Sequence, residues 1–145
     1  MPLDESERAT MVGGAKAVAG GGELVKRVCE LARKLGLEAR EQYKVAKRIW
    51  GAERNIDVVL RNPATGKTLG VECKYQAVGG TAEEKIPTTI QDIEAWPIDG
   101  IVVFGGEGFT DNMKSFLIST GKAVEFKDLE PWLRLYFGLP LDDDR

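Results

Sequence analysis

The chain has 145 residues, with 20 Lys/Arg against 23 Asp/Glu and a net charge of −3. That is enough for one domain with its own core and too little for two. It contains no histidine and only two cysteines, Cys29 and Cys73, which excludes Ser-His-Asp or Cys-His nucleophiles and a Cys/His zinc site. Any catalysis must therefore use carboxylates, lysines, hydroxyls or a metal held by oxygen. No apolar run approaches the ~18 residues of a membrane span. Asp4 and Glu5 open the chain without an apolar stretch behind them, so no signal peptide is expected, and a cytoplasmic, membrane-free setting is. The two cysteines are expected as reduced, buried small hydrophobes.

Residues 1–21 are glycine-rich, as in "MVGGAKAVAGGGE", and are predicted to form a flexible arm. Residues 22–36 place Leu24, Val25, Val28, Leu31, Ala32 and Leu35 at helical spacing, with Gly36 as the stop. Near-alternation in 37–51 predicts a strand, and "RNIDVVLRN" at 54–62 predicts a second. "PATGK" at 63–67 is turn chemistry, and "TLGVECKYQ" at 68–76 returns as the partner strand of a hairpin. A helix is expected within 84–96, beginning near Pro87 and ending before Pro97. "DGIVVFGGEG" at 99–108 reads as a buried strand with a tight glycine exit. A helix at 110–120, a short strand at 122–126 and a final helix at 128–138 follow, before an acidic tail over 139–145. The order α-β-β-β-α-β-α-β-α predicts an α/β fold, a mixed sheet with helices on its faces.

One short stretch carries charge where a strand should be apolar. In "GVECKYQ", 70–76, strand alternation puts Glu72 and Lys74 on one face and Cys73 on the other. Antiparallel pairing of 55–60 with 70–75 brings Asp57 beside them. Two carboxylates and a lysine on covered strands are costly unless something gathers them. A divalent cation does so: the Asp57 and Glu72 carboxylates with the backbone carbonyl of Cys73 make a hard-oxygen site suited to Mg²⁺, with Mn²⁺ as a substitute. Such a site supports phosphodiester hydrolysis, with Lys74 assisting the attacking water.

The run "NIDVVL–RNPATGKTLG–VECKY" resembles the D-x(n)-E-x-K signature of the PD-(D/E)xK nuclease superfamily, which includes many restriction endonucleases and archaeal Holliday-junction resolvases. The resemblance covers roughly 22–104 and implies a restriction-endonuclease-like αβββαβ core, hence a nuclease domain over 22–138. It assigns the three motif positions to Asp57, Glu72 and Lys74. Ile56 stands where many relatives have proline. The family often adds an acidic residue from the helix before the sheet, a place matched by Glu23, and one branch has a glutamine on the next helix, a place matched by Gln91. A homodimer with one site per DNA strand is a further family expectation.

Charge distribution agrees with a DNA partner. Residues 23–61 hold ten Lys/Arg against six Asp/Glu, and the remainder is acidic. Lys44, Lys47, Arg48, Arg54 and Arg61 surround the first two strands, and Lys85 follows the motif; all are candidate phosphate contacts. No nucleotide cofactor is expected, because "RNPATGKT" has Arg61 where a phosphate-loop pattern needs glycine. The reading is a Mg²⁺-dependent DNA endonuclease. Its alternatives are a junction-resolving nuclease or a non-catalytic nucleic-acid-binding module of the same fold.

Overall fold

The computed structural model describes residues 20–45, 54–76 and 86–141. The N-terminal arm up to residue 19 and the tail from 142 lie outside the described residues. Helix α1 (Gly21–Lys34) leads into strand β1 (Glu38–Val45), followed by β2 (Arg54–Arg61) and β3 (Thr68–Tyr75). Helix α2 (Ile86–Glu94), strand β4 (Gly100–Gly105), helix α3 (Asp111–Ser119), strand β5 (Ala123–Glu125), a 3₁₀ turn (Phe126–Asp128) and helix α4 (Leu129–Phe137) complete the order. This is the element order expected from the sequence, with the 3₁₀ turn added.

The five strands form one sheet in the order β1-β2-β3-β4-β5. β1, β2 and β3 are antiparallel neighbours, whereas β3, β4 and β5 run parallel. The hairpin between β2 and β3 is closed by local chemistry. Asn62 Oδ1 accepts from the Ala64 amide, and the Asn62 carbonyl accepts from Gly66, the side-chain and backbone bonds that define an Asx-type turn.

One face of the sheet is fully covered. Leu24, Val28, Cys29 and Ala32 of α1, with Leu129, Leu133 and Phe137 of α4, pack on Val58, Leu60, Leu69, Val71 and Cys73. Each of the Val, Leu and Phe side chains among them contributes about 1.5–3 kcal/mol by leaving water. α1 ends as its sequence predicts: Gly36 is left-handed at φ +88, and the amides of Gly36 and Leu37 donate to the carbonyls of Arg33 and Ala32. That pair of bonds is a Schellman cap, which leaves Leu37 buried against the helix.

Among the described residues, helices cover the other face over β3–β5. Ile86 and Ile93 of α2 and Leu117 of α3 pack with Val102, Phe104, Phe109 and Ala123. Gly70 and Gly100, paired across the parallel ladder, make a slot for the Trp96 ring. A Cβ on either would lie 2.6 Å or 2.4 Å from Trp96 Cζ3, so only glycine allows this close approach. Over β1 and β2 no described helix covers the second face, and Asp57, Val59 and Arg61 project from it.

Candidate active site

The two ladders that flank β2 both give way at Asp57. Toward β1, the register pairs Glu41 with Val58 and Tyr43 with Ile56 but skips Gln42 and Asp57. Gln42 is left-handed at φ 50, which interrupts the pleat. Toward β3, pairing runs from Arg61↔Thr68 to Val58↔Val71 and stops there.

Side chains take over where the backbone pairing ends. Asp57 Oδ2 accepts from the Cys73 amide at 2.9 Å, and Glu72 Oε2 accepts from the Asp57 amide at 3.1 Å. Each strand thus offers a carboxylate to the backbone of the other. These are charge-assisted bonds, stronger than the neutral ones they replace. Carboxylates have about four lone-pair sites, so one bond to an N–H leaves them able to ligate a cation.

The backbone carbonyl of Cys73 is directed into the same opening. Gly70 and Gln76 donate their amides toward β4, to Asp99 and Gly105. Even-numbered residues of β3 therefore turn their backbone groups to β4, and odd-numbered ones, Cys73 among them, turn theirs to β2. The Cys73 side chain points the other way, into the core beneath α1. Burial, then the Asp57 and Glu72 carboxylates, push its thiol well above the ordinary range. It stays neutral, so the carbonyl rather than a thiolate is its available donor. Cys29, also buried, is pushed up to about 11 by burial and by Glu41, whose carboxylate lies 3.8 Å from its Sγ.

Lys74 lies two residues after Glu72 on the same half-buried face and makes no ion pair among the described residues. The structure therefore brings Asp57, Glu72 and Lys74 to one opening in the sheet. Two carboxylates and one main-chain carbonyl fit Mg²⁺, which keeps several waters and needs few protein ligands.

Other expected residues do not join them. Glu23 is in the first turn of α1, on the opposite sheet face, where its carboxylate pairs with Arg27 Nε at 3.6 Å. Among the described residues no three His, Cys, Asp or Glu side chains gather as a metal cluster. Gln91 is exposed on the outer side of α2, because Ile86, Thr89 and Ile93 form its inner side. Lys44 is exposed on β1 opposite Asn55, and Arg61 pairs with Glu38 at 3.2 Å. Arg54 begins β2, but its side chain, like all of Lys47, Arg48 and Lys85, lies outside the described residues.

Three features were missed by reading the sequence. Arg40 and Tyr43, on either side of the left-handed Gln42 in β1, line one groove with Val59 and Arg61 of β2. Gln76, directly after the motif strand, is buried, and its Nε2 donates to the Gly108 carbonyl at 2.9 Å, tying the end of β3 to the glycine exit of β4. A glutamine two residues beyond E-x-K was the available signal. Lys67, expected to be a simple turn residue, reaches α4: its Nζ donates to the Tyr136 carbonyl at 2.8 Å and lies 4.2 Å from that ring's centre.

The comparisons with known proteins agree with this fold. The model of the PD-(D/E)XK nuclease superfamily domain matches residues 16–132. Among solved structures, the fold is similar to a crystal structure described as a protein of unknown function, AF1548. The TM-score is 0.50 at 18% identity, over 83% of this chain and 71% of that one. No curated protein matches the sequence significantly. The chain belongs to the PD-(D/E)XK nuclease superfamily.

Proposed function

We propose that this protein is a Mg²⁺-dependent endonuclease that hydrolyses DNA phosphodiester bonds at Asp57, Glu72 and Lys74. The observation that carries the reading is the reciprocal pair of bonds between Asp57, Glu72 and the facing strands. It holds two carboxylates side by side on the face that bears a lysine. A purely structural role would be served as well by uncharged acceptors, without the repulsion of two like charges.

Asp57, Glu72 and the Cys73 carbonyl are the donors that would hold the cation. When bound, the metal polarises the scissile phosphate and lowers the pKa of a water. Lys74 orients the attacking water through its ammonium hydrogens and offsets the negative charge that builds on the non-bridging oxygens. Asp57 and Glu72 keep their geometry because each is anchored to a backbone N–H rather than to a flexible side chain. Glu23 is left out of the ligand set because of its place on α1. A homodimer, giving one site to each strand, and a reducing cytoplasmic setting, suited to two buried free thiols, complete the proposal.

The test is incubation of plasmid and branched DNA with Mg²⁺, Mn²⁺ or EDTA, comparing wild type with Asp57→Ala and Lys74→Ala. Cutting that needs the metal and disappears in both variants is the expected result. DNA binding without cutting under either metal would overturn the enzyme reading in favour of a binding module.

A further inference from the structure

The part of the sheet that no described helix covers is not flat. It forms a groove of about 350 Å³ over β1 and β2 toward the β2–β3 turn, lined from Val59, the next residue after Asp57 on that face of β2. Val59 and Ile98 give it an apolar floor, Arg40 and Arg61 line it with guanidinium groups, and Tyr43 stands at the end next to the opening. Tyr43 is 41% exposed. It is register partner to Ile56, the residue before Asp57. Val59 and Arg61 follow Asp57 on the same face of β2 at two-residue steps, each ~7 Å along the strand.

The shape of the strand is what creates this groove. Glu38 and Arg40 lie on one face of β1 by simple alternation, and Tyr43 should lie on the other. All three line the same groove. Gln42, left-handed at φ 50, lies between Arg40 and Tyr43 without changing the register, which runs Glu41↔Val58 and Tyr43↔Ile56, and it is the residue at which the β1–β2 pairing skips Asp57. The irregularity that interrupts the ladder beside the carboxylate thus directly precedes the aromatic residue that lines the groove.

We propose that this groove seats one unpaired nucleotide of the substrate beside the scissile phosphate, with its base against Tyr43 and its phosphate on Arg40. The substrate class is then DNA with a single-stranded tail or an unpaired base at the cutting point, rather than an intact blunt duplex. The inference deepens the nuclease reading and rests on it for what is cut. Its volume is at the lower end of small-ligand sites, a match for one nucleotide and far too small for a duplex. A paired base offers no ring face to a side chain, so an aromatic on an apolar floor has a stacking partner only when the base is unpaired. Arg40 makes no ion pair among the described residues and so presents its charge to a phosphate. Arg61 shares its charge with Glu38 at 3.2 Å and is the weaker contact.

The test is fluorescence anisotropy in EDTA, where binding is read without cutting. The probes are a blunt duplex, the same duplex with a single-stranded tail, and a single strand, measured with wild type, Tyr43→Ala, Tyr43→Trp and Arg40→Ala. The expected result is tighter binding of the tailed duplex than of the blunt one, and about a 10-fold loss for Tyr43→Ala on the tailed duplex alone. Tyr43→Trp should restore binding, and Arg40→Ala should reduce the salt slope by about one. Circular dichroism checks that the variants, both at exposed positions, remain folded. Equal affinity for blunt and tailed DNA, or a Tyr43→Ala effect of the same size on both, overturns the inference. Cutting of tailed DNA as fast in Tyr43→Ala as in wild type would sink this inference and leave the nuclease reading standing. Tail-dependent binding with no cutting under any metal would do the reverse.

Discussion

The two ends of the β2–β3 hairpin are built on opposite principles. At the turn end, Val58 to Arg61 pair regularly with Thr68 to Val71, and Val58, Leu60, Leu69 and Val71 are buried beneath the helices. At the other end the pairing stops, and two carboxylates stand in for the missing carbonyl acceptors. The first end obtains its stability from dispersion and the hydrophobic effect, which tolerate no charge. The second places charge at a point of local backbone separation, where water, a cation or a phosphate can reach it. The proposed site would thus sit where the ladder stops, one residue from where it is regular.

Substitutions at the two ends should separate activity from stability. Asp57→Asn keeps an oxygen to accept the Cys73 amide but removes the charge. It should lower metal-dependent cutting by at least ~10³-fold, about 4 kcal/mol of barrier, with no loss of melting temperature. Plasmid nicking and thermal denaturation check the two halves of that statement. Asp57→Ala should differ from it by leaving the amide without its acceptor, at about 1–3 kcal/mol of stability. If Asp57→Asn unfolds the protein, the carboxylates are structural and the contrast fails.

At the turn end, Leu60→Ala should cost about 2–5 kcal/mol of stability, read by urea denaturation, with cutting per folded molecule unchanged. A smaller effect belongs to the glycine slot. Gly100→Ala forces its new methyl against Trp96 and should destabilise by about 1–3 kcal/mol. Combining it with Trp96→Leu should recover part of that loss, which melting temperatures of the single and double variants will show.

The smallest effect is the pH response of the far side of the turn. The Tyr136 hydroxyl donates to Asp99 Oδ2 and the Thr68 carbonyl, both at 2.9 Å. Burial first, then the bond to Asp99 and its charge, push the phenol up to about 12. A folded-state value above the ordinary one near 10 means that the stabilisation is complete below pH 10 and is lost as pH rises toward 12. Denaturation midpoints between pH 10 and 12 should fall in wild type and fall less in Tyr136→Phe. This titration should leave DNA cutting at neutral pH untouched, since it belongs to the stable end.

Much of this was legible in the sequence because the signals are local. Alternation in 54–61 and 68–75, the turn residues between them and Gly36 after a helical stripe each act over a few residues, and all appear where they were expected. The same alternation put Glu72 and Lys74 on one face and brought Asp57 close. It gave no sign of the left-handed Gln42 in β1, because glutamine carries no turn signal comparable to glycine or asparagine. It also misjudged Lys67, whose partner on α4 is 69 residues away.

By itself, then, the sequence determined the order of elements and the types of chemical group at the motif, because periodicity and turn preference are properties of neighbouring residues. The opening of the sheet at Asp57, the slot for Trp96 and the groove under Tyr43 were decided only by tertiary structure. Each depends on how far apart two strands or a strand and a ring are held, and that distance is set by packing between segments remote in the chain.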